Sequence, residues 1–189
     1  MSRVIVIEFM SLDGVMQDPD GNEGTPHGGW AFRFGPGPVT GDPFGLSEVL
    51  DTGALLLGRQ TWQMFAKIWP GRDDPFSAKL NAMPKLVASR SLDQADEWQN
   101  SAVLPGDLVT QVRQRKQEQD IVITGSASVV RTLMAHDLVD EYRLIVFPEV
   151  LGEGKRVFPG GTAPAILALA SAEATGPTVR LVYTRPSSQ

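Results

Sequence analysis

Short apolar runs, each closed by a turn and followed by a stretch of helical spacing, limit what this chain can fold into. Residues 4–9 (VIVIEF), 54–57 (ALLL), 85–88 (KLVA), 121–124 (IVIT) and 142–147 (YRLIVF) are too short for ordinary helices and rich in branched aliphatic side chains. Such runs read as strands, the more continuous ones buried on both faces. Between them the period changes. Residues 61–68 place Trp62, Phe65 and Ile68 at helical spacing, with Trp69 next to them, and residues 108–117 and 128–135 also read as helices. Residues 44–50 fit a short helix, residues 179–184 a last strand, and the alanine-rich 165–172 a helix. This alternation predicts an α/β fold. The expected architecture is a single three-layer domain of 189 residues, with a mostly parallel central sheet covered by helices.

Residues 18–42 break the rhythm. They are rich in Gly and Pro, including Gly28-Gly29 and Pro36-Gly37-Pro38, and show no clear period. A connection this long reads as a functional loop or partial lid, with a surface insertion as the alternative. The net charge of −5 disfavours a broad nucleic-acid footprint, while leaving room for an anionic ligand in a local basic patch. Cysteine is absent, which excludes disulfides, thiolate metal sites and cysteine nucleophiles. Glu8 interrupts the first apolar run, so an export signal is not expected, and no run approaches the ~18–20 apolar residues of a membrane span. The reading is a cytoplasmic protein without a membrane segment.

Two glycines stand where a strand gives way to a helix, in Leu57-Gly58-Arg59 and Thr124-Gly125-Ser126. A glycine there lets backbone amides approach a ligand, and the helix that follows offers its positive end to an anion. Arg59 adds a fork of donors and Ser126 a short hydroxyl; Ser126 or Ser128 is also placed to cap the helix. Neither site is a GxGxxG fingerprint, and no GxxxxGK[ST] loop exists. His27 and His136, the only histidines, form no metal-binding spacing, and there is no GxSxG nucleophile elbow. His136 reads as a surface or helix-terminal residue, whereas His27, in the long loop, has more functional potential.

The order of motifs resembles the dihydrofolate reductase superfamily, specifically the reductase domain at the carboxy end of riboflavin-biosynthesis enzymes. Ser11-Leu12-Asp13-Gly14 follows the first strand, and Gly58-Arg59-Gln60-Thr61-Trp62 is similar to the family's GRxTW or GRxTY segment. Lys85 to Arg90, Ile121 to Ser126, Asp137 to Tyr142 and Pro148 to Gly154 resemble later family segments in their expected order. The resemblance implies an NADPH-dependent reductase of a small molecule. Gly58, Arg59 and Thr61 would lie near the dinucleotide phosphates, with Arg59 a candidate for the extra phosphate. Ser89 and Arg90 would approach the adenosine end. Gly125 and Ser126, with Ala127, Ser128 and Val129, would cradle the pyrophosphate. Leu12, Asp13 and Gly14 would border the nicotinamide and the substrate.

Two carboxylates are candidates for the chemistry. Asp42 stands before Pro43 at about the place of the superfamily's acidic residue, where it is equally a helix N-cap; Asp13 is the alternative, or else stabilises its own turn. The nearest activity implied is reduction of 5-amino-6-(5-phosphoribosylamino)uracil. The zinc-binding deaminase domain often joined to such reductases has no place in a cysteine-free chain, which weakens the transfer of that substrate. Dihydrofolate reduction and a non-catalytic nucleotide-binding sensor are the other readings. Many members of the family are dimers, so a homodimer is expected by resemblance, and no metal is expected.

Overall fold

The computed structural model describes residues 2–186. Its eight strands make a mostly parallel α/β sheet, so the expected fold class holds. The chain divides into two compact units, one of residues 1–6 and 45–139 and one of residues 7–44 and 140–189.

The first unit is parallel throughout. Its strands are ordered β4 (Ser101–Val103), β3 (Lys85–Ala88), β2 (Ala54–Gly58), β5 (Ile121–Ile123) and the first residues of β1 (Val4–Ser11). Leu56 of β2 lies opposite Leu86 on one side and Ile123 on the other. Every residue of β2 and β5 is buried, which is why these strands read as unbroken apolar runs rather than as alternation. The unit's helices are α1 (Val49–Thr52), α2 (Arg59–Ile68), α3 (Pro75–Ala82), α4 (Leu108–Arg115) and α5 (Ala127–Ala135). Asp74 and Asp107 cap α3 and α4 by accepting from the amides of Ser77 and Thr110. Trp62 is buried on α2 and donates its indole N–H to the Ser101 hydroxyl on β4, 3.0 Å away.

Lys85 begins β3 fully buried. Its ammonium lies 4.5 Å from the centre of the Trp98 ring and donates to the carbonyl oxygens of Asn81 and Gln99. Among the described residues no ion pair joins it to a carboxylate, and burial pushes its pKa down to about 8.

The second unit is antiparallel in its carboxy-terminal part. β6 (Glu141–Phe147) pairs with β8 (Thr178–Thr184), which pairs in turn with β7 (Ala168–Thr175). Phe147 is fully buried and meets Phe9, Trp30 and Phe34 at ring separations of 5.4–5.8 Å.

The long loop packs against this aromatic core. Two 3-10 turns, Trp30–Phe34 and Gly37–Val39, lie within it. Asp18, fully buried, organises it: the carboxylate accepts from the amides of Glu23 and Thr25 and from the Thr25 hydroxyl. A Cβ on Gly28 would come within 2.2 Å of that carboxylate, so Gly28 is a packing requirement, while Gly29 takes a left-handed conformation with φ 77°. Trp30 is buried and donates to the Gln17 carbonyl at 2.7 Å.

Four sequence expectations fail. The helix expected at 44–50 is confined to α1, because Gly45 and Ser47 take left-handed backbone conformations (φ 65° and 48°) that interrupt a helix. Asp42 therefore caps no helix; Glu48 occupies that position. Residues 165–172 are not helical: from Ala168 onward they belong to β7, where pairing with β8 overrides alanine's preference. Ser126 does stand at the N-cap of α5, but neither it nor Ser128 caps the helix with its side chain; the two hydroxyls meet each other at 2.9 Å.

Candidate functional site

The carboxyl ends of β3, β2 and β5 carry a cleft of about 290 Å³ within the first unit. Gly58, the last residue of β2, lies opposite Ala88, the last of β3. α2 begins immediately after Gly58, and α5 begins just past the turn at Gly125-Ser126. Neither helix has an acidic residue in its first turn, so both positive ends remain free to favour an anion.

Glycine is required at both turns because they press together. A Cβ on Gly58 would lie 2.2 Å from the Ser126 hydroxyl oxygen, and one on Gly125 would lie 2.9 Å from the Thr61 hydroxyl oxygen. Gly125 also has φ 62°, a conformation in which a side chain is strained.

The cleft brings together Gly58, Arg59, Ser89, Arg90, Ser126, Ser128 and Val129 from the sequence reading. Thr61, Gly125 and Ala127 do not line it; Thr61 packs against Gly125. Gln60, Ala88 and Ser91 line it as well, and the sequence reading passes over them. Arg59, Arg90 and Ser91 are exposed. Arg59 donates to the Ser91 hydroxyl at 2.8 Å, while the Ser89 hydroxyl accepts from the amides of Ser91 and Leu92. Two guanidinium groups, four serine hydroxyls and two helix amino ends make a donor-rich lining. That chemistry fits a phosphate-bearing ligand.

Residues 2–181 match the family model for the RibD C-terminal domain. The chain belongs to that family. The family is reductase-like, which makes an oxidoreductase the class of protein to expect. Among known proteins, the chain is 29% identical to the uncharacterized protein YyaP of Bacillus subtilis (strain 168), over 82% of this chain and 80% of that protein. It is 26% identical to YwjB of the same organism, over 97% and 98%. Among solved structures, a Shewanella sp. PV-4 protein named for riboflavin biosynthesis superposes with a TM-score of 0.77 at 22% identity, over 98% of this chain and 99% of that one. RibD of Acinetobacter baumannii gives 0.59 at 17% identity, over 99% of this chain but 59% of its own. These two likenesses establish the fold.

The remaining candidates lie in the second unit. Leu12 is exposed at the end of β1, and Gly14 turns the chain with φ 85°. Asp13 between them is heavily engaged. Its carboxylate accepts from the Ser11 hydroxyl (2.7 Å) and from the amides of Leu151 (3.1 Å) and Gly152 (2.9 Å), with the Arg156 guanidinium 3.4 Å away. The Ser11 hydroxyl and then these amides hold its pKa well below the ordinary carboxylate range, outweighing partial burial. Asp42 sits half-buried in irregular chain. His27 lies 3.4 Å from Glu153, an exposed contact that singles out no chemistry. Among the described residues no cluster of acidic and histidine side chains could hold a metal, and no helix is long and apolar enough to cross a membrane.

Proposed function

We propose that the protein is an NADPH-dependent reductase of a small pyrimidine, pteridine or related substrate. The nearest substrate by family is 5-amino-6-(5-phosphoribosylamino)uracil. The observation that carries this reading is the cleft at the carboxyl ends of β3, β2 and β5, where Arg59, Arg90 and the serines gather around two helix amino ends. Adjacent parallel strand ends are where open α/β sheets take up nucleotides.

When bound, NADPH supplies a hydride for the reduction. Arg59, Ser89 and Arg90 take the ribose-phosphate end, and Ser126 and Ser128, with Val129 beside them, take the pyrophosphate. Leu12 and Gly14 are proposed, by resemblance to the family, for the reacting end. Asp13, ionised and fully engaged, orients the 11–14 turn and is a poor proton donor. That leaves Asp42 as the carboxylate proposed to contact the substrate. A homodimer in the cytoplasm is the setting we propose, following the family.

The experiment is a fluorescence titration with NADPH and NADH, then turnover across a panel of pyrimidine, pterin and carbonyl substrates. NADPH should bind the tighter, and oxidation should accompany at least one substrate. The engagement of Asp13 favours one second reading, a nucleotide-binding sensor without turnover. Stoichiometric NADPH binding with no oxidation across the panel would support the sensor over the reductase.

A further inference from the structure

Arg59 differs from most of the paired arginines in what holds it. Arg3, Arg33, Arg143, Arg156 and Arg180 each meet a carboxylate. Arg59, at the first position of α2, meets none among the described residues; its partner is the neutral hydroxyl of Ser91, 2.8 Å from Nη1. Ser91 reaches it from the turn that follows β3, and both residues line the cleft. That turn is itself fixed, since the Ser89 hydroxyl accepts from the Ser91 amide at 3.2 Å and from the Leu92 amide at 3.0 Å.

A long exposed arginine samples many rotamers, and a ligand that uses it must stop that motion. A carboxylate partner would stop it too, but would neutralise the charge a phosphate needs. A hydroxyl orients the guanidinium while leaving its charge and its other N–H donors available.

We infer that Ser91 is a positioning residue for the cofactor, holding Arg59 across the β2–β3 edge of the cleft so that its free donors face the phosphate that separates NADPH from NADH. Ser89 acts one step further back: it builds the turn that presents Ser91, which occupies its hydroxyl oxygen with backbone amides. The inference rests on the proposed NADPH reading and adds to it a residue outside the motif. Discrimination between the two cofactors is thereby shared between an arginine at a helix start and a serine from the neighbouring strand's turn.

The test is a set of binding titrations with NADPH and NADH on the wild type, Ser91→Ala, Ser91→Thr, Arg59→Ala and the Arg59→Ala/Ser91→Ala double variant. Ser91→Ala should weaken NADPH about three- to tenfold, the cost of ordering a long side chain that is no longer held, with little change for NADH. Ser91→Thr keeps the hydroxyl and should restore NADPH binding to within about twofold. On the Arg59→Ala background, removing the Ser91 hydroxyl should add nothing, because its effect passes through Arg59. An unaltered NADPH affinity in Ser91→Ala, an equal loss for both cofactors, or an undiminished effect without Arg59 would each overturn the inference. The underlying reading fails differently: there Arg59→Ala would weaken both cofactors alike, or the wild type would not prefer NADPH, and either result removes the phosphate contact itself.

Discussion

Asp13 and Ser91 mark the limits of reading a site from residue types alone. Ser11-Leu12-Asp13-Gly14 is legible as a turn after a strand, yet the amides of Leu151 and Gly152 that occupy Asp13 come from the far end of the chain. Arg59 and Arg90 are legible because they stand directly at strand ends, whereas Ser91 acquires its part from a contact across 32 positions. Asp13 gives a prediction with a sign. Its folded-state pKa is lowered, so its stabilising contribution is complete above its unfolded pKa of about 3.9 and is lost as pH falls below that value. Asp13→Asn should therefore cost about 1–2 kcal/mol at pH 7, and the gap from wild type should close as the pH drops below about 4. Denaturant unfolding at a series of pH values measures this. Lost turnover with an unchanged unfolding midpoint at pH 7 would instead make Asp13 a participant in the chemistry.

At the scale of elements, legibility follows from where the information is stored. β2, β3 and β5 are visible in the sequence because parallel strands buried in a sheet need nearly every side chain to be apolar. β4 has three partly exposed or exposed residues and exists by pairing with β3, so nothing local announces it. β7 is mostly exposed and alanine-rich, and β8 imposes its extended form. α3 goes unread in the sequence, although Asp74-Pro75 is a cap followed by proline at the first helical position. The joint between β2 and α2 is tested by Gly58→Ala. Its backbone (φ −72°, ψ 157°) suits alanine, so any damage must come from the new methyl meeting Ser126. The variant should lose about 1–3 kcal/mol and bind NADPH more weakly. Adding Ser126→Gly removes both the hydroxyl and the Cβ it would strike, and should recover most of the stability. Failure of that rescue would place the requirement for Gly58 elsewhere.

For the whole molecule, a formal charge of −5 and the proposed anionic cofactor are reconciled by where the positive groups sit: Arg59, Arg90 and the amino ends of α2 and α5 are gathered at one cleft. That cleft lies entirely within the first unit, but β1 runs from the first unit into the second at Val6-Ile7. A strand whose two halves belong to different units cannot be released from one without disturbing the other, so a single cooperative transition is expected. Ligand that binds only the folded chain then stabilises all of it. At a hundred times its dissociation constant NADPH should add about 2.7 kcal/mol. For a chain of this length each kcal/mol raises the melting temperature by about 2–4 °C, giving a shift of roughly 5–10 °C. NADH at the same concentration should give a smaller shift, since it lacks the phosphate assigned to Arg59, and Arg59→Ala should bring the two shifts together. A thermal scan that splits into two transitions, only one of them moved by NADPH, would show that the shared strand does not couple the units; a scan that NADPH leaves unmoved would remove the cofactor from the cleft.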